Sequence, residues 1–499
     1  MNGIRCLVCV LLVVACHAQT VIVVGSGLAG LSAAIEAARN GASVTILEKE
    51  ARVGGNSLCA SSGMNAVATP PQREEKIVDN VENFVKDTLK SGKGLSNKKL
   101  VALLANQSRI AWDFLTDFGV DLRVLCKTGG HSIARTHRAH EKEKITSIGT
   151  DIIQALLQAI KKEYPTITIV TDARVTALIF DEKNGVTGVR YATTKSVNST
   201  CQSKLDARRQ ELVEKCMYAD AIILATGGFC GDVVPGSMLA QYRPDLLYLA
   251  TTNGGFANGD GIMLAHNIGA QLVDMDKIQI HPTGFVNPRD PFNKHKFLAP
   301  ESLRASGGIL INHTGRRFVN ELDTRDIVTQ AILANCVPYQ KPEGPLTAYL
   351  VLNEAGAQLF QKRVLEFYMR YGLIQRFDSA KSFARTAGFD EGTFVKTLES
   401  YAAAARVGND EFGKVTFPIT ISADEPVYSM LITPCLHYCM GGIVFDECAR
   451  VIGRDGPIAH LFAAGEVTGG LHGANRLAGN SLLECVVFGR IAGRNAAIV

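Results

Sequence analysis

Two short, unbroken apolar runs, Val21-Ile-Val-Val24 and Ser43-Val-Thr-Ile-Leu47, have the character of strands buried inside a sheet. The alanine-rich stretch between them, Leu28 to Asn40, repeats its apolar positions with helical period. The pattern predicts a strand–helix–strand unit. Further helices are predicted over 74–90, 97–118 and 150–163. From Ile167 to Tyr191, β-rich runs at 167–170, 175–180 and 186–191 are separated by turns, notably Lys183-Asn-Gly185, and predict a meander. Ala219 to Leu224 is another buried strand. The stretch 284–432 has strands and helices of its own, after which strand-and-glycine patterning returns at Gly441–Phe445 and Leu461–Gly465. This order predicts an α/β fold: a Rossmann-like nucleotide-binding domain in two pieces, 19–283 and 433–499, with an α+β domain at 284–432 inserted between them.

Residues 1–18 stand apart. Arg5 precedes an apolar run from Cys6 to Ala15, and Cys16 and Ala18 put small residues three and one before Gln19. This is the pattern of a cleaved leader, and the run is shorter than the ~20 residues that span a bilayer. The expectation is the secretory pathway, either the endoplasmic reticulum or secretion, with the mitochondrion as the alternative. Asn106-Gln-Ser108, Asn198-Ser-Thr200 and Asn312-His-Thr314 match the glycosylation pattern. Cys201 and Cys216 flank a polar insertion and are either a disulfide or two free thiols.

Composition then narrows the class. The 499 residues are 46% hydrophobic and 20% charged, enough for large cores and too apolar for a disordered chain. Fifty-two basic against 48 acidic residues leave +4 with no basic run, which excludes nucleic acid as a partner. The 13 cysteines are too dilute for a disulfide scaffold, and Cys6-x-x-Cys9 is followed by Val10, not the histidine of a haem site. No metal site is expected. Glycine is in excess, at 47 residues, and its placement matters more than its number.

Gly25-x-Gly27-x-x-Gly30 lies between the first strand and the first helix. In that context the first glycine permits a tight turn, the second admits a pyrophosphate against bare backbone, and the third lets helix and strand approach. The helix N-terminus then offers free N–H groups and partial positive charge to the phosphates. Glu48 ends the second strand, placed for ribose hydroxyls and against a 2′-phosphate. Gly54-Gly55-Asn56-Ser57, Ala225-Thr226-Gly227-Gly228, Gly259-Asp260-Gly261 and Ala464-Gly-Glu466 follow at strand ends. Repeated close backbone approach suits an extended FAD better than NAD, with Glu466 placed for the ribityl chain.

The motifs resemble the fumarate reductase/succinate dehydrogenase flavoprotein family, and its soluble fumarate reductases in particular. The resemblance runs from Val21 to about Arg494, through Ile280-His-Pro-Thr283, Glu301-Ser-Leu-Arg304, Gly315-Arg-Arg-Phe-Val-Asn-Glu321, Thr324-Arg325-Asp326, His437-Tyr-Cys-Met-Gly-Gly442 and His472-Gly-Ala-Asn-Arg476. It implies an FAD domain closed over by a capping domain, and hydride transfer from reduced FAD to fumarate, giving succinate. By that resemblance His437 and Arg476 hold one carboxylate of the substrate and His281 the other. Arg325 binds substrate and donates the proton, with Glu301 as relay and Arg304 beside it. With Leu28, Ala29, Lys49, Val175, Ser481 and Leu482, the glycine-loop residues, Glu48, Asn56, Ser57, Ala225, Thr226, Asp260 and Glu466 make up the expected FAD contacts. The residue types suit the chemistry independently, because a dicarboxylate in a dry cleft needs cationic or multiply donating partners.

Gly54-Gly-Asn-Ser-Leu58 has no histidine where membrane-bound members attach the flavin, so FAD is expected to be non-covalent. The chain ends soon after the Arg476 motif, arguing against an integral membrane complex. A monomer fed by an external donor such as reduced flavin is expected. Pro300 stands where related enzymes have Thr, and Leu477-Ala-Gly479 replaces Leu-Gly-Gly. Cys435 and Cys439 flank His437 as a redox pair or as two buried thiols. The alternatives are an L-aspartate oxidase or another enoate reductase of the same family, and a non-catalytic flavin redox sensor.

Overall fold

The structure, a computed structural model, describes residues 18–140, 145–195 and 211–499. The expected leader up to residue 17, Asn198 and Cys201 lie outside the described residues. Thr20–Val24, buried from Val21 onward, is an inner strand of a six-stranded sheet of order 450–453, 456–463, 221–224, 20–24, 43–47, 167–170. All neighbours are parallel except the edge strand Arg450–Gly453. Parallel strands must be covered on both faces, which is why they read as continuous apolar runs. Helix Leu28–Arg39 returns along one face, and the C-terminal helix Asn480–Ala496 lies against it. Gly489 and Gly493 allow the contact: a Cβ there would sit 2.6 Å from Ala29 O and 2.1 Å from Ala33 O. Glu36 is held between Arg490 and Arg494 at 2.9 and 2.7 Å.

Two predicted elements differ. Ile167–Val170 does not belong to a meander; it pairs in parallel with Ser43–Leu47 at the sheet edge. The antiparallel sheet consists of Ala173–Asp181, Gly185–Lys195 and Glu211–Tyr218. A four-residue β-branched run fits either sheet, and only the pairing partner decides. The helix expected over 74–90 is two helices, Pro70–Glu74 and Val81–Ser91. Thr69 caps the first in a capping box, and the Asn80 side chain accepts from Asn83 N–H to start the second.

A second, mixed sheet is organised around the 13-residue strand Val427–Cys439. Ile278–Phe285, Leu346–Asn353 and Gln375–Phe377 pair with it antiparallel, and Ala250–Thr251 in parallel. The expected domain boundaries, 283/284 and 432/433, fall inside two of these strands. Apolar side chains from Leu303, Leu310, Val328, Leu350 and Met430 form the core on one side of this sheet. A buried ionic cluster lies nearby: Arg317 grips both oxygens of Glu321 at 2.8 and 2.9 Å, and Lys414 donates to Glu321 at 2.7 Å. Burial pushes the Glu321 carboxyl up, but Lys414 and Arg317 outweigh it and hold it at about 2.

Asn312 is buried, and its Oδ1 accepts from the backbone of Thr314 and Arg316; it closes a turn and is not presented for glycosylation. No helix among the described residues is long and apolar enough to cross a membrane.

Candidate active site

The ends of Thr20–Val24, Ser43–Leu47 and Ala221–Leu224 open onto a cavity of about 600 Å³. Gly25, at φ +103°, begins the turn. A Cβ on Gly30 would lie 2.0 Å from Gly25 O, so the third glycine serves the backbone packing and does not line the cavity. The residue before helix Leu28–Arg39 gives it no side-chain cap; Leu28 and Ala29 of its first turn line the cavity, and Leu28 N–H donates to Ser57 Oγ at 3.1 Å. Glu48 accepts from Ser26 N–H at 3.0 Å and Glu50 N–H at 2.9 Å, so the carboxylate ties the second strand to the glycine turn. Asp260 pairs with Lys49 at 2.8 Å and Arg174 at 2.9 Å.

The other end of the cavity is cationic. Arg325, His437 and Arg476 line it, and His281 meets His437 edge-on with ring centres 5.0 Å apart. Neither histidine sits at the end of its strand. They lie within paired strands, Ile278–Phe285 and Val427–Cys439, where register shifts on either side of His281 accommodate Pro282. His281 Nδ1 is 3.2 Å from the backbone N, the backbone O and Oγ1 of Thr283, which leaves buried Nε2 without a partner. His437 Nδ1 meets Thr252 Oγ1 at 2.8 Å. Burial first, and then neighbouring charge led by Arg325, puts both imidazoles well below their ordinary range. They are neutral donors at pH 7.

Arg476 is 2% exposed, with its guanidinium 4.2 Å from the centre of the Tyr438 ring. Its Nε has no partner, and burial, followed by the charge of Arg325, brings it down to about 9. Arg325, 4% exposed, opens helix Arg325–Asn335. Its Nε donates to Glu301 Oε2 at 2.7 Å, while Nη1 is buried and unpartnered. Glu301 and Arg304 share the turn Glu301–Ala305, with Arg304 Nη2 3.4 Å from Glu301 Oε2. Gly129 N–H donates to Glu301 Oε1 at 2.7 Å. Burial raises the Glu301 carboxyl, but Arg325 and Arg304 more than offset this and hold it at about 2. Glu301, Arg304 and His281 stand behind the wall of the cavity and do not line it.

Of the residues expected at FAD, Gly25, Gly27, Leu28, Ala29, Glu48, Lys49, Gly55, Asn56, Ser57, Val175, Ala225, Thr226, Gly227, Asp260, Glu466, Ser481 and Leu482 line the cavity. Gly54 and Gly228 do not. Gly54 makes a left-handed turn, and a Cβ on Gly228 would meet Glu466 Oε1 at 2.6 Å. Glu466 accepts from Cys439 N–H at 2.9 Å, and burial raises it to about 7. The partner of Cys439 is Cys230, Sγ to Sγ 3.2 Å, and not Cys435. Sequence reasoning missed Thr252, Tyr438 and Gln279, whose Oε1 accepts from Arg476 N–H at 2.8 Å. Ordinary polar residues in strands give no signal of their own. An extended dinucleotide fits this cavity on independent grounds: open helix N–H groups, a bare glycine turn, and a buried Thr226 hydroxyl without a partner.

The FAD binding domain family matches residues 20–482. The chain belongs to this family. FAD is the cofactor of this flavoprotein, which is 39% identical to fumarate reductase 1 of Saccharomyces cerevisiae (strain ATCC 204508 / S288c) over 96% of its length and 98% of the yeast protein. The flavoprotein is 31% identical to the acrylate reductase flavoprotein subunit of Shewanella woodyi (strain ATCC 51908 / MS32), over 95% and 90% of the two chains. In three dimensions it superposes on the open conformation of a flavocytochrome c3 fumarate reductase with a TM-score of 0.70 and 33% identity, covering 96% of this chain and 78% of that one. These likenesses place the flavoprotein in the fumarate reductase branch of the family.

Proposed function

We propose that the flavoprotein reduces fumarate to succinate. One observation supports this above the others: Arg325 Nη1 and Arg476 Nε, in the wall of the flavin cavity beside His437, and His281 Nε2, packed behind that wall against His437, are buried donors without partners. Three unpaired donors in a dry site are costly unless a ligand accepts from them, and a dicarboxylate does so at both ends.

FAD, held by the glycine turn, the first helix and Glu48, supplies the hydride when reduced. Arg476 and His437 orient one carboxylate and Arg325 the other, with His281 packed edge-on against His437 from behind the wall, which fixes the alkene against the hydride donor. Arg325 donates a proton from Nη1 to the second alkene carbon. Its Nε contact with Glu301 provides the route for reprotonation, and Arg304 holds Glu301 ionised. The absence of a histidine at 54–58 favours non-covalent FAD. The division into an FAD domain and a cap at 284–432, the monomeric state and an external electron donor belong to the same proposal.

The second reading is a different enoate, favoured by the likeness to an acrylate reductase subunit. Turnover with reduced viologen separates the two. Fumarate is expected to turn over at least about a hundredfold faster than crotonate or acrylate, because a monocarboxylate leaves half of the donors unpaired. Equal rates would overturn the dicarboxylate assignment. Oxygen-dependent oxidation of aspartate would assign the oxidase.

A further inference from the structure

His472 and Glu484 are buried ionisable residues outside the set that meets substrate or flavin in the proposed reaction. Glu484 lies on helix Asn480–Ala496, and its Oε2 is hydrogen-bonded to His472 Nε2. Both side chains are 3% exposed. Their other polar atoms, Glu484 Oε1 and His472 Nδ1, have no partner. Burial pushes the Glu484 carboxyl well above its ordinary range. Burial first, and then the charge of Arg476, takes the imidazole well below its own. At pH 7 the pair is a neutral acid bonded to a neutral imidazole. Burying these polar groups with one bond between them costs desolvation that apolar side chains would avoid.

The pair is one ring away from the substrate arginine. The His472 ring meets Tyr438 edge-on, with ring centres 5.8 Å apart and planes at 71°. The same Tyr438 ring carries the Arg476 guanidinium at 4.2 Å from its centre. The backbone of Arg476 is held by side chains: its N–H donates to Gln279 Oε1, Gln279 Nε2 donates to Asn475 Oδ1 at 2.8 Å, and Asn475 Nδ2 to Ser91 Oγ at 2.7 Å. The guanidinium is held differently. Among the described residues no carboxylate is bonded to it, and Nη1 donates to Leu477 O at 3.1 Å. A carboxylate in the wall would compete with the substrate for this cation. An aromatic face orients it and leaves its donors free. Tyr438 then needs a fixed surface behind it, which His472 supplies while Glu484 holds the imidazole. Neutrality suits that place, because an ionised Glu484 would draw Arg476 and a charged His472 would repel it.

We propose that His472 and Glu484 are positioning residues for Arg476, acting through the Tyr438 ring. The inference rests on the reading of Arg476 as a carboxylate ligand of the substrate.

The test uses the FAD-loaded protein with Glu484→Leu or Glu484→Gln, each alone and combined with Arg476→Lys. Fumarate reduction is driven by reduced viologen, and crystal structures of the FAD-loaded single variants locate the guanidinium. Glu484→Leu is expected to lower kcat/KM for fumarate about 10–10²-fold, mainly through KM, with FAD content unchanged and the guanidinium displaced from the Tyr438 ring by about 1 Å or more. Glu484→Gln, whose amide keeps a bond to His472 Nε2, should stay within about twofold of the wild type. In the Arg476→Lys background, Glu484→Leu should change kcat/KM by less than about twofold, because the effects of residues that act through one another do not add. Tyr438→Leu should reproduce the loss, and it reads the same chain of contacts if Glu484→Leu fails to fold.

Unchanged kcat/KM in Glu484→Leu, or an equal loss in Glu484→Gln, overturns the proposal. A full further loss on top of Arg476→Lys also overturns it, since a purely structural role for the pair would give that result. If the wild type fails to reduce fumarate, the functional reading fails, and the crystal structures still judge the pair: a displaced guanidinium supports the proposal and an unmoved one overturns it.

Discussion

At the scale of single residues, the account depends on a few groups whose ordinary chemistry is changed by burial. Arg325 has one nitrogen on Glu301 and another free toward the cavity, so it can pass a proton without moving. Arg325→Ala should lower kcat for fumarate by about 10²–10⁴-fold, the usual effect of removing a general acid, while the flavin absorbance of the purified protein stays intact. A loss below about tenfold would remove Arg325 from the proton path. Arg476 supplies a pH prediction with a definite sign. Its charge is present below about 9 and is lost as pH rises through that value. The profile of kcat/KM for fumarate should therefore fall above about pH 9. That of kcat should fall later, because bound carboxylate favours the charged guanidinium. The two histidines add no limb near pH 6.5, since both titrate well below it. The arginines and histidines were legible as residue types in motif order. Their unpaired nitrogens were not, because orientation depends on contacts such as Thr283 with His281 and Thr252 with His437, which come from other parts of the chain.

At the scale of elements, the helix that begins at the glycine turn is positioned by another helix more than 400 residues later in the chain. Gly493 permits that contact. Gly493→Ala would place a methyl group 2.1 Å from Ala33 O and should cost about 1–3 kcal/mol, seen as a lower melting temperature and easier release of FAD. Gly392→Ala, whose Cβ would meet nothing closer than Asp390 Oδ1 at 3.6 Å, should melt within about 0.5 kcal/mol of the wild type. Equal melting of the two variants would contradict the packing account. The first strand–helix–strand unit was readable because glycine spacing, apolar runs and helical period agree over a short stretch. The sheet assignment of Ile167–Val170 and the break between Pro70–Glu74 and Val81–Ser91 were not. The first depends on a distant partner strand, and the second on side-chain caps at Thr69 and Asn80 that compete with a periodic pattern.

At the scale of the whole molecule, a modest net charge of +4 hides a strong local asymmetry. Arg325 and Arg476 converge at one end of the flavin cavity, where Glu301 is committed to Arg325 and Glu466 is raised to about 7. Strands Ile278–Phe285 and Val427–Cys439 run from the second sheet to this point, each bringing one histidine. The site therefore exists only when both sheets are formed. The most direct test of the account is anaerobic stopped-flow mixing of the dithionite-reduced flavoprotein with fumarate or crotonate, followed in the flavin absorbance band. Rapid reoxidation by fumarate and not by crotonate is the predicted result; equal, slow reoxidation by both would contradict it.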